Sequence, residues 1–151
     1  MNRRRVLAGV GGFVTLGAGC VSISDDSHPE FTVEDPPEWL RTADACSPEE
    51  RVAVLDVGGP RGSVADSTAV VTYGELREQS RLVFRFGVQH GRAVTCRDAG
   101  AEAFMALLGD VMEDALGPYR EEQMYGADAV AVRAKRGFYR IDLWVYDQVV
   151  P

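Results

Sequence analysis

Apolar and polar positions alternate most regularly near the end of the chain. From Phe138 to Tyr146, Tyr139, Ile141, Leu143 and Val145 point one way, and Phe138, Arg140, Asp142, Trp144 and Tyr146 point the other. That period of two predicts a strand with one buried face. Residues 127–134 carry a matching pattern, in which Val130, Val132 and Ala134 join the apolar side. Lys135-Arg136-Gly137 lies between the two runs, with Gly137 able to take positive φ, so the pair predicts a β-hairpin.

Upstream the pattern changes twice. Val52, Val54, Leu55 and Val57 predict a strand ended by the turn residues Gly58-Gly59-Pro60, and Thr68 to Tyr73 predicts a second. Thr72 and Glu75 have capping-box spacing, which predicts a helix from there to about Gln89 with Leu76, Leu82, Val83 and Phe86 on its inner face. A second helix is predicted from the stripe Ala101, Phe104, Met105, Leu108, Val111, Met112 and Ala115, capped by Asp98 and stopped at Gly117-Pro118. Residues 93–96 between the helices read as a short strand or a plain connection.

These elements predict an α+β domain: a small, mostly antiparallel sheet with two helices on one face and a C-terminal β-hairpin. Residues 51–151 are long enough for one such domain, and no repeat divides them. Residues 20–50 read differently. Between Asp25 and Glu50 there are nine acids and a single arginine, with Pro29, Pro36, Pro37 and Pro48, a composition that predicts an extended tether. Phe31, Val33, Trp39 and Leu40 stand out in it, and the last two have the character of a docking pair.

Residues 1–19 have the three parts of an export signal. Arg3, Arg4 and Arg5 precede an uncharged run from Val6, and Leu16-Gly17-Ala18-Gly19 leads to Cys20. The segment resembles a twin-arginine signal, with Arg3 and Arg4 as the pair, joined to a lipobox of the kind found in bacterial and archaeal lipoproteins. The resemblance implies cleavage before Cys20, lipid attachment there, and a domain held on the outer face of the cytoplasmic membrane. A retained transmembrane anchor is the rival, since the uncharged run extends to Ser24. Five glycines within it (Gly9, Gly11, Gly12, Gly17 and Gly19) argue for the cleaved form.

Charge narrows the setting. The chain has 16 basic and 23 acidic residues, and loss of the signal removes three arginines and no acid, leaving a net charge of −10. Lys135 is the only lysine. An acid-rich, lysine-poor body resembles the proteins of halophilic archaea, whose carboxylates stay hydrated in concentrated salt. It predicts no nucleic-acid partner, because phosphates are repelled by such a surface. With Cys20 assigned to lipid, Cys46 and Cys96 remain as a candidate disulfide in an oxidising exterior.

Chemistry-bearing patterns are sparse. His28 and His90 offer no metal-ligand spacing, and no cofactor motif is present; Gly58-Gly59-Pro60-Arg61-Gly62 lacks the ending of a phosphate loop. The candidate binding face is Arg133, Phe138, Arg140, Trp144 and Tyr146, where large rings meet guanidinium donors. The competing reading rests Trp144 on the small residues Ala129 and Ala131. Two function classes follow: a non-enzymatic surface lipoprotein domain that binds a protein or envelope component, and a small secreted enzyme or solute-binding accessory. The second requires His90, Asp98, Arg140 and Asp142 to converge on one pocket.

Overall fold

The computed structural model describes residues 31–115, 129–146 and 148–150. Arg3, Arg4, Cys20 and the expected helix stop at Gly117-Pro118 lie outside the described residues. Among the described residues six strands occur in the order β1 (Ala53–Val57), β2 (Thr68–Thr72), β3 (Arg92–Thr95), β4 (Ala129–Ala134), β5 (Gly137–Val145) and β6 (Gln148–Val150). Two helices, α1 (Glu78–His90) and α2 (Asp98–Asp110), flank β3 in sequence, and α2 runs on into a π turn at Val111–Ala115. The class is α+β.

The strands make one sheet in the order β2-β4-β5-β1-β3, with β6 also on β5. The sheet is mixed: β2 pairs with β4 in parallel, whereas β5 pairs antiparallel with β1, β4 and β6, and β1 antiparallel with β3. This replaces the mostly antiparallel sheet expected from the alternation. A parallel pair requires a long crossover; β2 and β4 are joined by the stretch that carries α1, β3 and α2, whereas the shorter β1–β2 connection follows β5 before β2 takes the far side of β4. Gly58 N donates to Arg140 O, and Arg61 and Phe138 exchange backbone hydrogen bonds of 2.9 and 2.8 Å along that route. The turn residues Gly58-Gly59-Pro60 mark the end of β1 but not that β2 then lies beside β4.

The predicted hairpin forms as β4 and β5, with Val130 opposite Ile141 and Ala134 opposite Gly137, whose φ is +134°. Its apolar side is the core side. Tyr139, Ile141, Leu143 and Val145 are all buried, as are Val130 and Val132 on β4 and Ala53 and Leu55 on β1. Both helices lie over this face. Gly87 brings α1 down onto Leu55 and Val57, since a Cβ added there would stand 3.2 Å from Leu55 Cδ2.

Tertiary contacts move the helix boundaries. Thr72 makes no side-chain cap; Tyr73–Glu75 forms one 3-10 turn, and α1 begins only at Glu78. Leu76 is extended and buried, so its side chain enters the core from the segment before the helix and not from the helix itself. Arg77 N then donates to Asp110 Oδ2 at 2.9 Å, tying the start of α1 to the end of α2. Asp98 is the first residue of α2 and not its cap, which is Arg97 without a side-chain bond. The α2 stripe is rotated from the expected one. Ala101, Phe104, Leu108 and Val111 are buried as expected, but Gly100, Ala103 and Leu107 are buried beside them and Met105 is exposed.

The folded unit includes the described part of the expected tether, so its boundary lies well before residue 51. Phe31, Val33 and Leu40 are buried in the core, and Phe31 makes edge contacts with Tyr73, Phe84 and Tyr139 at centroid distances of 5.5, 5.9 and 5.7 Å. Val33 N donates to Gln89 Oε1, and Arg41 pairs with Val94 at the free edge of β3. Three aromatic edges and two backbone anchors outweigh the acid-rich composition, which described only the outward side of this segment.

Candidate functional site

β5 sets the positions of the expected binding face and also disperses it. Arg133 and Phe138 are opposed near the hairpin turn, where Arg133 Nη2 donates to Thr72 Oγ1 at 3.1 Å. Arg140 lies opposite Ala131, and Trp144 lies opposite Val54 on β1. At about 3.3 Å per residue, the eight steps from Phe138 to Tyr146 span roughly 26 Å. The five residues therefore do not converge on one ligand. The register also separates Trp144 from Ala131; the partner of Trp144 on the central side is Val54.

The outer sheet face carries a charged row instead. Asp56 lies between Asp142 on β5 and Arg92 on β3. Arg92 holds Asp56 through Nε and through Nη2 at 3.0 Å, which raises the arginine above its ordinary value, chiefly through the hydrogen bond. Arg140 stands 3.8 Å from Asp142 in a looser, half-exposed pair. The row balances itself, with two acids and two arginines. Near it, the crossover segment covers Ala131, which is buried despite facing outward.

His90, Asp98, Arg140 and Asp142 do not share a pocket. His90 ends α1 and packs against Phe86 at 4.4 Å, Asp98 opens α2, and the other two lie on the outer sheet face. Among the described residues no group of three or more His, Cys, Asp or Glu is placed to hold a metal ion.

Cys46 and Cys96 are joined, with Cα atoms 6.1 Å apart, inside the usual range for a disulfide. Cys96 directly follows β3, whereas Cys46 lies between two 3-10 turns, Ala43–Ala45 and Pro48–Glu50, neither of which buries a residue. The second turn has a complete capping box, in which Ser47 and Glu50 bond reciprocally. Those bonds, the side-chain one first, hold the Glu50 carboxyl below its ordinary value of 4.5. The disulfide and Trp39 border a surface cleft of about 610 Å³ together with Glu38, Arg41, Glu50 and Arg97.

A second groove, of about 440 Å³, runs along α2 and was not foreseen from the sequence. Met105 and Tyr146, 39% and 47% exposed, are the exposed large hydrophobic residues among those described, and both line it. Tyr146 sits where β5 turns back toward β6 and has a φ of +53°. Its hydroxyl donates to Asp98 Oδ1 at 3.2 Å. Desolvation, then this hydrogen bond and the charge of Asp98, raise the phenol above its ordinary value of 10. Glu102 is exposed in the same groove and makes no hydrogen bond or ion pair among the described residues. Arg77 also borders it, but its guanidinium is held by Asp110 at 2.6 Å and by Ala106 O at 2.9 Å. The apolar period that predicted α2 could have located Met105, but its meeting with Tyr146 depends on how α2 lies over the end of β5.

The fold and these surfaces define an α+β domain built on a mixed sheet and closed by a disulfide. No family model, curated protein or solved structure matches the chain.

Proposed function

We propose that the protein is an exported lipoprotein of a halophile, anchored through Cys20 to the outer face of the cytoplasmic membrane, whose domain acts by binding a partner protein or envelope component. The disulfide between Cys46 and Cys96 carries this reading, because such a bond persists in an oxidising exterior and not in a reducing cytoplasm. The Arg3-Arg4 pair, the small residues before Cys20 and the net charge of −10 without residues 1–19 are consistent with the same compartment. Binding is favoured over catalysis by the distribution of polar groups. Asp110 is paired with Arg77 between the helices and Asp56 with Arg92 across the sheet, and His90 is set against Phe86.

Mass spectrometry of the protein from its native membrane tests the reading. The expected N-terminus is a lipid-modified Cys20, and replacement of Arg3 and Arg4 by lysine should leave the precursor inside the cell. An intact Met1, or a cut at any other position, overturns the lipoprotein assignment.

A further inference from the structure

The groove along α2 combines three features that act on a ligand in the same direction. Its apolar surface is a tyrosine ring and a thioether, both exposed. Its charge is negative, because Glu102 is unpaired among the described residues and Asp98 accepts only the tyrosine hydroxyl, whereas Arg77 is neutralised by Asp110. Finally, Tyr146 occupies the left-handed backbone region at φ +53°, where asparagine or glycine would sit with less strain. A residue kept at a conformational cost, with its ring open to solvent, is a mark of a working position.

From these features we propose that the groove receives an arginine side chain from an extended segment of a partner protein. A guanidinium plane stacks on the Tyr146 ring and pairs with the Glu102 carboxylate, and the methylene stem lies along Met105. Charge complementarity selects the cation, and the groove of about 440 Å³ holds more than one side chain, so flanking backbone of the partner has room beside it. The assignment rests on the reading of the domain as a binding module and specifies the chemistry of what it binds.

The test uses the purified full chain and an end-capped, fluorescein-labelled Leu-Arg-Leu peptide, followed by anisotropy, with a citrulline peptide of equal shape and no charge. Saturable capture of the arginine peptide is expected, with the citrulline peptide at least about tenfold weaker, a difference of ~1.4 kcal/mol. Glu102→Gln should weaken capture several-fold. Tyr146→Asn should weaken it as well while raising the unfolding midpoint, since asparagine accepts the left-handed backbone. Arg140→Gln, on the opposite sheet face, should change nothing. Equal binding of the citrulline peptide, unchanged capture by Glu102→Gln or by Tyr146→Asn, or displacement by free methylguanidinium at the concentration of the peptide itself would each overturn the proposal. The outcome is separable from the export reading: processing at Cys20 without capture removes the groove assignment alone, and capture by a chain that keeps Met1 removes the export assignment alone.

Discussion

Gly100 and Thr95 are packed so closely that α2 can approach β3 only through the missing side chain. A Cβ at position 100 would stand 2.9 Å from Thr95 Cβ and 3.0 Å from Trp39 Cβ, wedged between the sheet and the N-terminal segment. Alanine favours a helix over glycine by about 1 kcal/mol, whereas overpacking of this kind costs about 1–3 kcal/mol. Gly100→Ala should therefore lower stability by up to about 2 kcal/mol in denaturant titrations. Gly59→Ala, which meets nothing within 4 Å, is the control expected to be near neutral.

Asp110 serves the backbone as well as a charge. Its carboxylate accepts Arg77 N at 2.9 Å and Arg77 Nε at 2.6 Å, and its side chain is 7% exposed. The Arg77 guanidinium is more than half in solvent, so its ionic share is small. The orphaned N–H is the larger loss. Asp110→Ala should cost about 2–3 kcal/mol, whereas Arg77→Ala, which keeps its own N–H bonded to Asp110, should cost less. Chemical unfolding of the two variants side by side checks the order.

The Cys46–Cys96 bridge closes a loop with a sequence separation of 50. In the chain-entropy account a loop of that length stabilises by about 4 kcal/mol, acting on the unfolded chain. Serine at both positions should lower the unfolding free energy by that amount with little change in the native sheet. A loss below about 1 kcal/mol would mean that the denatured chain already keeps these residues together.

Glu50 makes the fastening of residues 42–50 sensitive to acid. Its folded pKa is depressed, so the capping contribution is fully present above its ordinary value of 4.5 and is lost as the pH falls through the lower folded value. Carboxyl titration by NMR should show Glu50 ionising below 4.5, and Ser47→Ala should move it back upward. A Glu50 titration unaffected by Ser47→Ala would remove the capping box as its cause.

Much of the sheet was legible because its signals are local. The hairpin of β4 and β5 follows from a period of two and a glycine at the turn, and β1, β2 and both helices lie near their predicted positions. What escaped depends on distant partners. The parallel pairing of β2 with β4 joins strands separated in the chain by α1, β3 and α2, and α1 starts late because Leu76 is drawn into the core and Arg77 to Asp110. Phe31 was hidden in an acid-rich run because its burial is decided by Tyr73, Phe84 and Tyr139, up to 108 positions away. For the candidate site, alternation gave the side of β5 on which Trp144 and Arg140 lie, but the register and the length of the strand set them apart. Tyr146 was assigned to that same face, and the turn at φ +53° instead brings it to α2.

β5 has a neighbour along each of its edges: β1 and the Gly58–Arg61 run on one, β4 and β6 on the other. It also comes after β1, β2, β3 and β4 in the chain. Without it, among the described residues, β2 pairs in the sheet only with β4 and β1 only with β3, so most of the sheet edges are unsatisfied. Contacts of such high sequence separation imply slow refolding. The interval before β5 closes the sheet is then the period in which this protein most needs protection from other chains.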